Sequence, residues 1–121
     1  MGRMSGEKDE NCLFCKIVAG EIPSDVVHET ETTFAFRDLE PQAPTHVLVV
    51  PRAHHPNAGT LAAAEPGVAV DLLTAVAAVA NQEGLGEGYR LVFNTGARAH
   101  QTVFHAHAHV LGGRDMGWPP G

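Results

Sequence analysis

Near the end of this 121-residue chain runs His105-Ala106-His107-Ala108-His109-Val110-Leu111. An imidazole can act near neutral pH as nucleophile, proton donor or metal ligand, depending on which ring nitrogen carries the hydrogen. On a strand, side chains alternate, so the three histidines share one face while Ala106, Ala108 and Val110 share the other. Three uses of such a face can be told apart. A merely solvated face is out of place on an otherwise apolar strand. A single ion does not readily gather all three, because positions i, i+2 and i+4 span roughly 13 Å and metal–nitrogen bonds are about 2 Å long. Attack on phosphorus suits them better. Neighbouring imidazoles oppose each other's protonation, so one stays neutral as nucleophile while another supplies a proton.

Cys12 and Cys15 form a second constellation, C-x-x-C, whose members are neighbours if the segment is helical. Two buried thiols, a redox pair and half of a zinc site are all compatible with this spacing, since no second C-x-x-C follows. A disulfide across one helical turn is disfavoured in a reducing compartment.

The elements that must position these groups follow from the patterning. Residues 12–19 read as a short helix with Asn11 as cap and Gly20 as stop. Residues 26–29 and 33–37 read as a hairpin, and 45–50 as a β-branched strand closed by Pro51. From 65 to 83 the period becomes helical, with Val68, Leu72, Val76, Val79 and Ala80 on one face and Pro66 in the first turn. Strands follow at 89–94 and 102–111, joined by a loop at 95–101. This order lacks regular βαβ alternation and predicts an α+β fold with a mostly antiparallel sheet. Residues 1–11 are polar and predicted to be a flexible tail, followed by one domain from 12 to 121. They show no apolar targeting core, and no stretch is long enough to span a bilayer, so a cytoplasmic protein without membrane partners is expected. With 8 basic against 14 acidic residues and a formal charge of −6, a broad basic face for nucleic acid is excluded. A single phosphate held by a few aimed donors is not.

The run HAHAHVL resembles the histidine-triad (HIT) family of nucleotide hydrolases and transferases. FCKIVAGEIPS, FAFRDLEPQAPTHVLVVP, GYRLVFNTG and LGGRDMGWPPG, in that order, extend the resemblance from Cys12 to Gly121. The last segment is most similar to the Hint branch, the nucleotide-binding phosphoramidases. The resemblance implies a five-stranded sheet with two helices, and a homodimer joined through the second helix and the last long strand. It implies that His107 attacks phosphorus and forms a nucleotidyl-histidine, that His109 assists the leaving group, and that His105 and His46 orient them. Asn94, Gln101 and Thr102 would join His107 and His109 around the phosphate, with Asp38 on the ribose and Phe14, Phe36 and Leu39 around a purine. His100 stands where the Hint pattern usually has glycine. Some members carry a C-x-x-C and bind structural zinc, which here implies Cys12, Cys15, His54 and His105, with His55 a near competitor to His54.

The implied activity is hydrolysis of purine nucleoside 5′-phosphoramidates to AMP or GMP and an amine, with aminoacyl-adenylates as further substrates and no divalent cation needed for catalysis. A dinucleoside polyphosphate hydrolase, a nucleotide-binding interaction protein with negligible turnover and a three-histidine metalloenzyme are the rival readings. The sequence assigns no role to His28.

Overall fold

The computed structural model describes residues 9–121. The first eight positions of the expected tail lie outside the described residues. Asp9 to Asn11 form a turn closed by Cys12 N–H to Asp9 O at 3.0 Å. Helix α1 (Leu13–Val18) follows, capped by Cys12 rather than Asn11: the Cys12 Sγ accepts the Cys15 N–H at 3.3 Å.

Strands β1 (Val26–Glu29), β2 (Thr33–Arg37) and β3 (Thr45–Pro51) form an antiparallel meander. Helices α2 (Ala58–Ala64) and α3 (Pro66–Gln82) come next, then β4 (Arg90–Val92), a 3₁₀ turn (Ala97–Ala99) and β5 (Ala108–Gly112). The five strands lie in the order β1-β2-β3-β5-β4, antiparallel throughout.

Three features differ from expectation. Among the described residues there are three α-helices instead of two. Helix α2 starts at a reciprocal cap between Asn57 and Thr60 and buries only Leu61. A seven-residue, alanine-rich helix with one buried residue has no apolar stripe to betray it. The last strand begins at Ala108, not 102, because the preceding residues bond to a loop: Ala106 N–H donates to His55 O at 2.7 Å. Finally, β5 is paired on both sides, so the open edge beyond it is β4, and the last long strand cannot join the sheets of two protomers.

Alternation sorts the sheet into two faces. Ala35, Val47, Val49, Ala106, Ala108 and Val110 pack against Leu61, Leu72, Val76 and Val79 of α2 and α3. Phe34, Phe36, Leu48 and Val50 pack on the other face against Phe14, Cys15 and Ile17 of α1. The cross-strand pair Leu48–His109 places the triad on the α1 side. The small Ala106 and Ala108 let the α3 layer lie directly behind it. Replacing the fully buried Ala108 by leucine is expected to cost about 1–3 kcal/mol through overpacking, read as a lower urea midpoint with an unchanged slope.

Candidate active site

The hydrogen bonds around each triad histidine determine which nitrogen is free. His107 Nδ1 lies 2.8 Å from the His105 carbonyl oxygen. A carbonyl only accepts, so Nδ1 carries the hydrogen and Nε2 keeps its lone pair, the form a nucleophile needs. His105 Nε2 likewise donates to Pro51 O at 2.8 Å, leaving its Nδ1 as a lone pair. His46 works in the opposite sense. Its Nδ1 accepts the Gln42 N–H at 3.0 Å, so Nε2 carries the hydrogen and donates to His109 Nδ1 at 2.9 Å, with Asp38 Oδ2 3.4 Å away. His109 is thereby left with a hydrogen on Nε2, and this buried nitrogen has no partner among the described residues. The site therefore pairs a lone-pair nitrogen on His107 with an unspent donor on His109. Their ring centroids are 4.9 Å apart.

Burial keeps these rings neutral. It pushes His105 and His109 down to about 4, with neighbouring histidines adding to the effect, against the Pro51 bond for His105 and Asp38 for His109. His107 is also lowered by burial, opposed by its bond to the His105 carbonyl and by Asp38. His46 is lowered by burial, opposed by Asp38.

The free lone pair of His105 faces the second constellation. Its Nδ1 is 3.4 Å from Cys12 Sγ, 3.5 Å from Cys15 Sγ and 3.2 Å from His54 Nδ1, and His54 Nδ1 is 3.5 Å from Cys15 Sγ. A tetrahedral zinc with ordinary bond lengths separates two nitrogens by about 3.3 Å and a nitrogen from a sulfur by about 3.6 Å. The four donors thus have the spacing and chemistry of a closed zinc site. Each sulfur also receives an amide N–H, Cys12 from Cys15 and Cys15 from Asp9. Burial pushes the Cys15 thiol up to about 11, a cost that a divalent cation would offset. His55 is not a fourth ligand: its ring turns away, to Glu65.

The remaining sequence-predicted residues are placed unequally. Phe14 stands edge-on to Phe36, at 5.4 Å, and to His107, at 5.0 Å, with both phenylalanines buried. Asp38 begins just past β2 at the mouth of the site, its Oδ1 accepting the Glu40 N–H. Asn94 is half-buried, two residues beyond Val92, which pairs with His109. Thr102 is exposed. Gln101 is buried and its amide is committed to the loop, accepting from Gly96 N–H and donating to Pro56 O and Val103 O. Leu39 is 95% exposed, apart from the aromatic cluster. His100 closes the 3₁₀ turn in the left-handed region, φ 68°, a conformation glycine adopts readily, and His28 sits half-buried on the edge strand β1. The groups that sequence reasoning missed are the Pro51 and His105 carbonyls and the Gln42 amide, since main-chain atoms leave no mark in residue identity.

A model described as the HIT domain matches residues 19–116. The chain is 48% identical to the 14 kDa zinc-binding protein of Zea mays over 115 residues, covering 93% of this chain and 90% of that one. It is 43% identical to the purine nucleoside phosphoramidase of Escherichia coli (strain K12) over 109 residues, covering 89% and 92%. The crystal structure of a HIT family hydrolase from Legionella pneumophila Philadelphia 1 superposes with a TM-score of 0.88 at 47% identity, over 92% of this chain and 100% of that one.

The depressed histidines have a consequence for stability. Above pH 6.5, His109 is neutral in folded and unfolded chain alike, and its contribution is complete. Between 6.5 and about 4 the unfolded chain binds a proton that the folded site refuses. Stability therefore falls as pH drops through that window. Urea midpoints measured from pH 7 to 4 should show this slope, and His109→Gln should make it shallower, with His105 keeping part of it.

Proposed function

The chain belongs to the HIT domain family, and on that footing we propose that it hydrolyses purine nucleoside 5′-phosphoramidates through a covalent nucleotidyl-histidine. The class, a nucleotide hydrolase, is that of its relatives. The finer reading is supported most by one observation: His107 presents a lone pair at Nε2 beside a donor on His109 that no other described residue uses.

In this mechanism His107 Nε2 attacks phosphorus as the P–N bond breaks. The departing nitrogen takes the hydrogen of His109 Nε2, so the amine leaves neutral and the charge left on His109 offsets the cation formed on His107 until water returns the proton. The His105 carbonyl stabilises the cation that forms on His107, because its acceptor already faces Nδ1–H. Water then attacks the nucleotidyl-histidine, giving its proton to His109 and releasing AMP or GMP. The two steps together return the protein to its starting state, and no divalent cation enters either of them. Asn94 and Thr102 would hold phosphate oxygens, with Gln101 setting their loop. Asp38 would accept from the ribose hydroxyls, and Phe14, Phe36 and Leu39 would wall the purine, Leu39 closing from solvent. Aminoacyl-adenylates offer the same phosphorus with a better leaving group.

Cys12, Cys15, His54 and His105 would hold zinc, which when bound supplies a fixed cross-link between α1 and the triad. A homodimer is part of the same proposal. The outer face of α3 exposes Val70 and Leu73, and β4 is an open edge of the sheet. Trp118, 83% exposed, would then extend from one protomer towards its partner's site. No helix of the described residues is long and apolar enough to cross a membrane, and the acidic balance supports a nucleotide rather than a nucleic acid as ligand. A cytoplasmic location accords with unpaired cysteines.

Adenosine 5′-phosphoramidate incubated with the protein in EDTA should release AMP, faster than a diadenosine polyphosphate does. His107→Ala should lose at least about 10³-fold in kcat, as expected when a nucleophile is removed; an active variant refutes the mechanism. Elemental analysis should find one zinc per chain, and Cys15→Ser should lose it together with several degrees of thermal midpoint.

A further inference from the structure

Outside the two histidine clusters just described, the most conspicuous polar group is His55. It is fully buried, its Nε2 lies 2.5 Å from Glu65 Oε2, and the proposed chemistry does not use it. Glu65 sits at the junction of α2 and α3. Its N–H donates to Leu61 O, and its carbonyl accepts from Val68 and Ala69 N–H. The carboxylate that holds the His55 ring is therefore mounted on a rigid corner of the helix layer.

The other end of His55 reaches the triad. Its carbonyl accepts the Ala106 N–H at 2.7 Å, and that N–H belongs to the same peptide group as the His105 carbonyl. A peptide group is planar, with N–H and C=O fixed on opposite sides. Whatever holds one end aims the other. The His105 carbonyl is the acceptor of His107 Nδ1–H. A continuous series thus runs from Glu65 to the His55 ring, from the His55 carbonyl through the 105–106 peptide, and on to the His107 imidazole. The end of β3 and the loop carrying His55 contribute two further acceptors to the same segment, Pro51 O to His105 and Pro56 O to Gln101.

We infer that His55, held by Glu65, is a positioning residue that aims the 105–106 peptide and so fixes the tautomer and direction of the His107 ring; the inference rests on His107 being the nucleophile. The ring of His55 and its carbonyl belong to one residue, so freeing the ring lets the carbonyl swing. The His105 acceptor then tilts away from Nδ1, and Nε2 no longer holds the lone pair exclusively. Binding of the nucleotide, which involves neither His55 nor Glu65, is left alone.

The test compares Glu65→Ala, Glu65→Gln and His55→Leu with the native protein, by steady-state kinetics and by ¹⁵N shifts of the His107 ring. Glu65→Ala removes the acceptor at a half-exposed position with little threat to folding, and it decides the matter if His55→Leu does not fold. It should lower kcat about 10- to 100-fold, the scale for a small misplacement of a reacting group, with KM within about twofold. The His107 ¹⁵N signals should move from one tautomer towards averaged values. Glu65→Gln, which keeps an acceptor oxygen, should restore both. The inference is overturned if folded Glu65→Ala has native ¹⁵N signals and kcat, even with a lowered thermal midpoint, or if Glu65→Gln behaves like Glu65→Ala. Failure of the native protein to cleave the phosphoramidate would instead refute the proposed function, while the ¹⁵N signals would still judge the linkage.

Discussion

The bond from His107 Nδ1–H to the His105 carbonyl is the constraint on which the site turns. An imidazole has two nearly equivalent tautomers, and only a partner of fixed sense selects one. Here the selecting partners of His107, His105 and His46 are main-chain groups, the His105 and Pro51 carbonyls and the Gln42 amide, and His46 in turn selects the tautomer of His109. Main-chain groups do not titrate, so the assignment of lone pairs survives changes of pH that would reverse a carboxylate's role. Burial then keeps the rings from protonating and abolishing the distinction. His105 is where the two clusters meet: its ring faces the thiols while its carbonyl faces the neighbouring imidazole.

Most of what carries side-chain chemistry was legible from the chain. The alternation of HAHAH set three imidazoles on one face, and they share it even though the strand ladder starts only at Ala108. The hairpin and the long helix were marked by period and by Pro66, because burial on one side leaves a periodic trace. The resemblance brought Cys12, Cys15, His54 and His105 together, and the structure does the same. What escaped was whatever depends on main-chain partners or on one-residue direction. His54 and His55 are chemically identical neighbours, and only the path of the loop after Pro51 sends one to the thiols and the other to the helix corner. Helix α2 escaped because its face is nearly all alanine. The pairing of β5 on both sides escaped because strand order is a long-range property to which composition is blind.

The sheet separates two kinds of demand. Its α3 face is closely packed and apolar, with alanines behind the triad, and it is built for rigidity. Its α1 face holds the imidazoles, the thiols and the aromatic wall, where polar groups are buried and, His109 Nε2 apart among the described residues, matched. A displaced residue on the first face would move the second, which links packing quality to chemistry without any direct contact with a substrate.

Helix α1 has six residues, too few to be helical alone. What keeps it on the sheet is Phe14, Cys15 and Ile17 packed on one side, together with the thiol–imidazole cluster. It is therefore the natural first unit to open, while the meander and α3 remain intact. Amide hydrogens of α1 would exchange in a subglobal event distinct from global unfolding. Without a metal at that cluster the molecule would thus have two levels of cooperativity, with the wall beside the nucleophile in the weaker one.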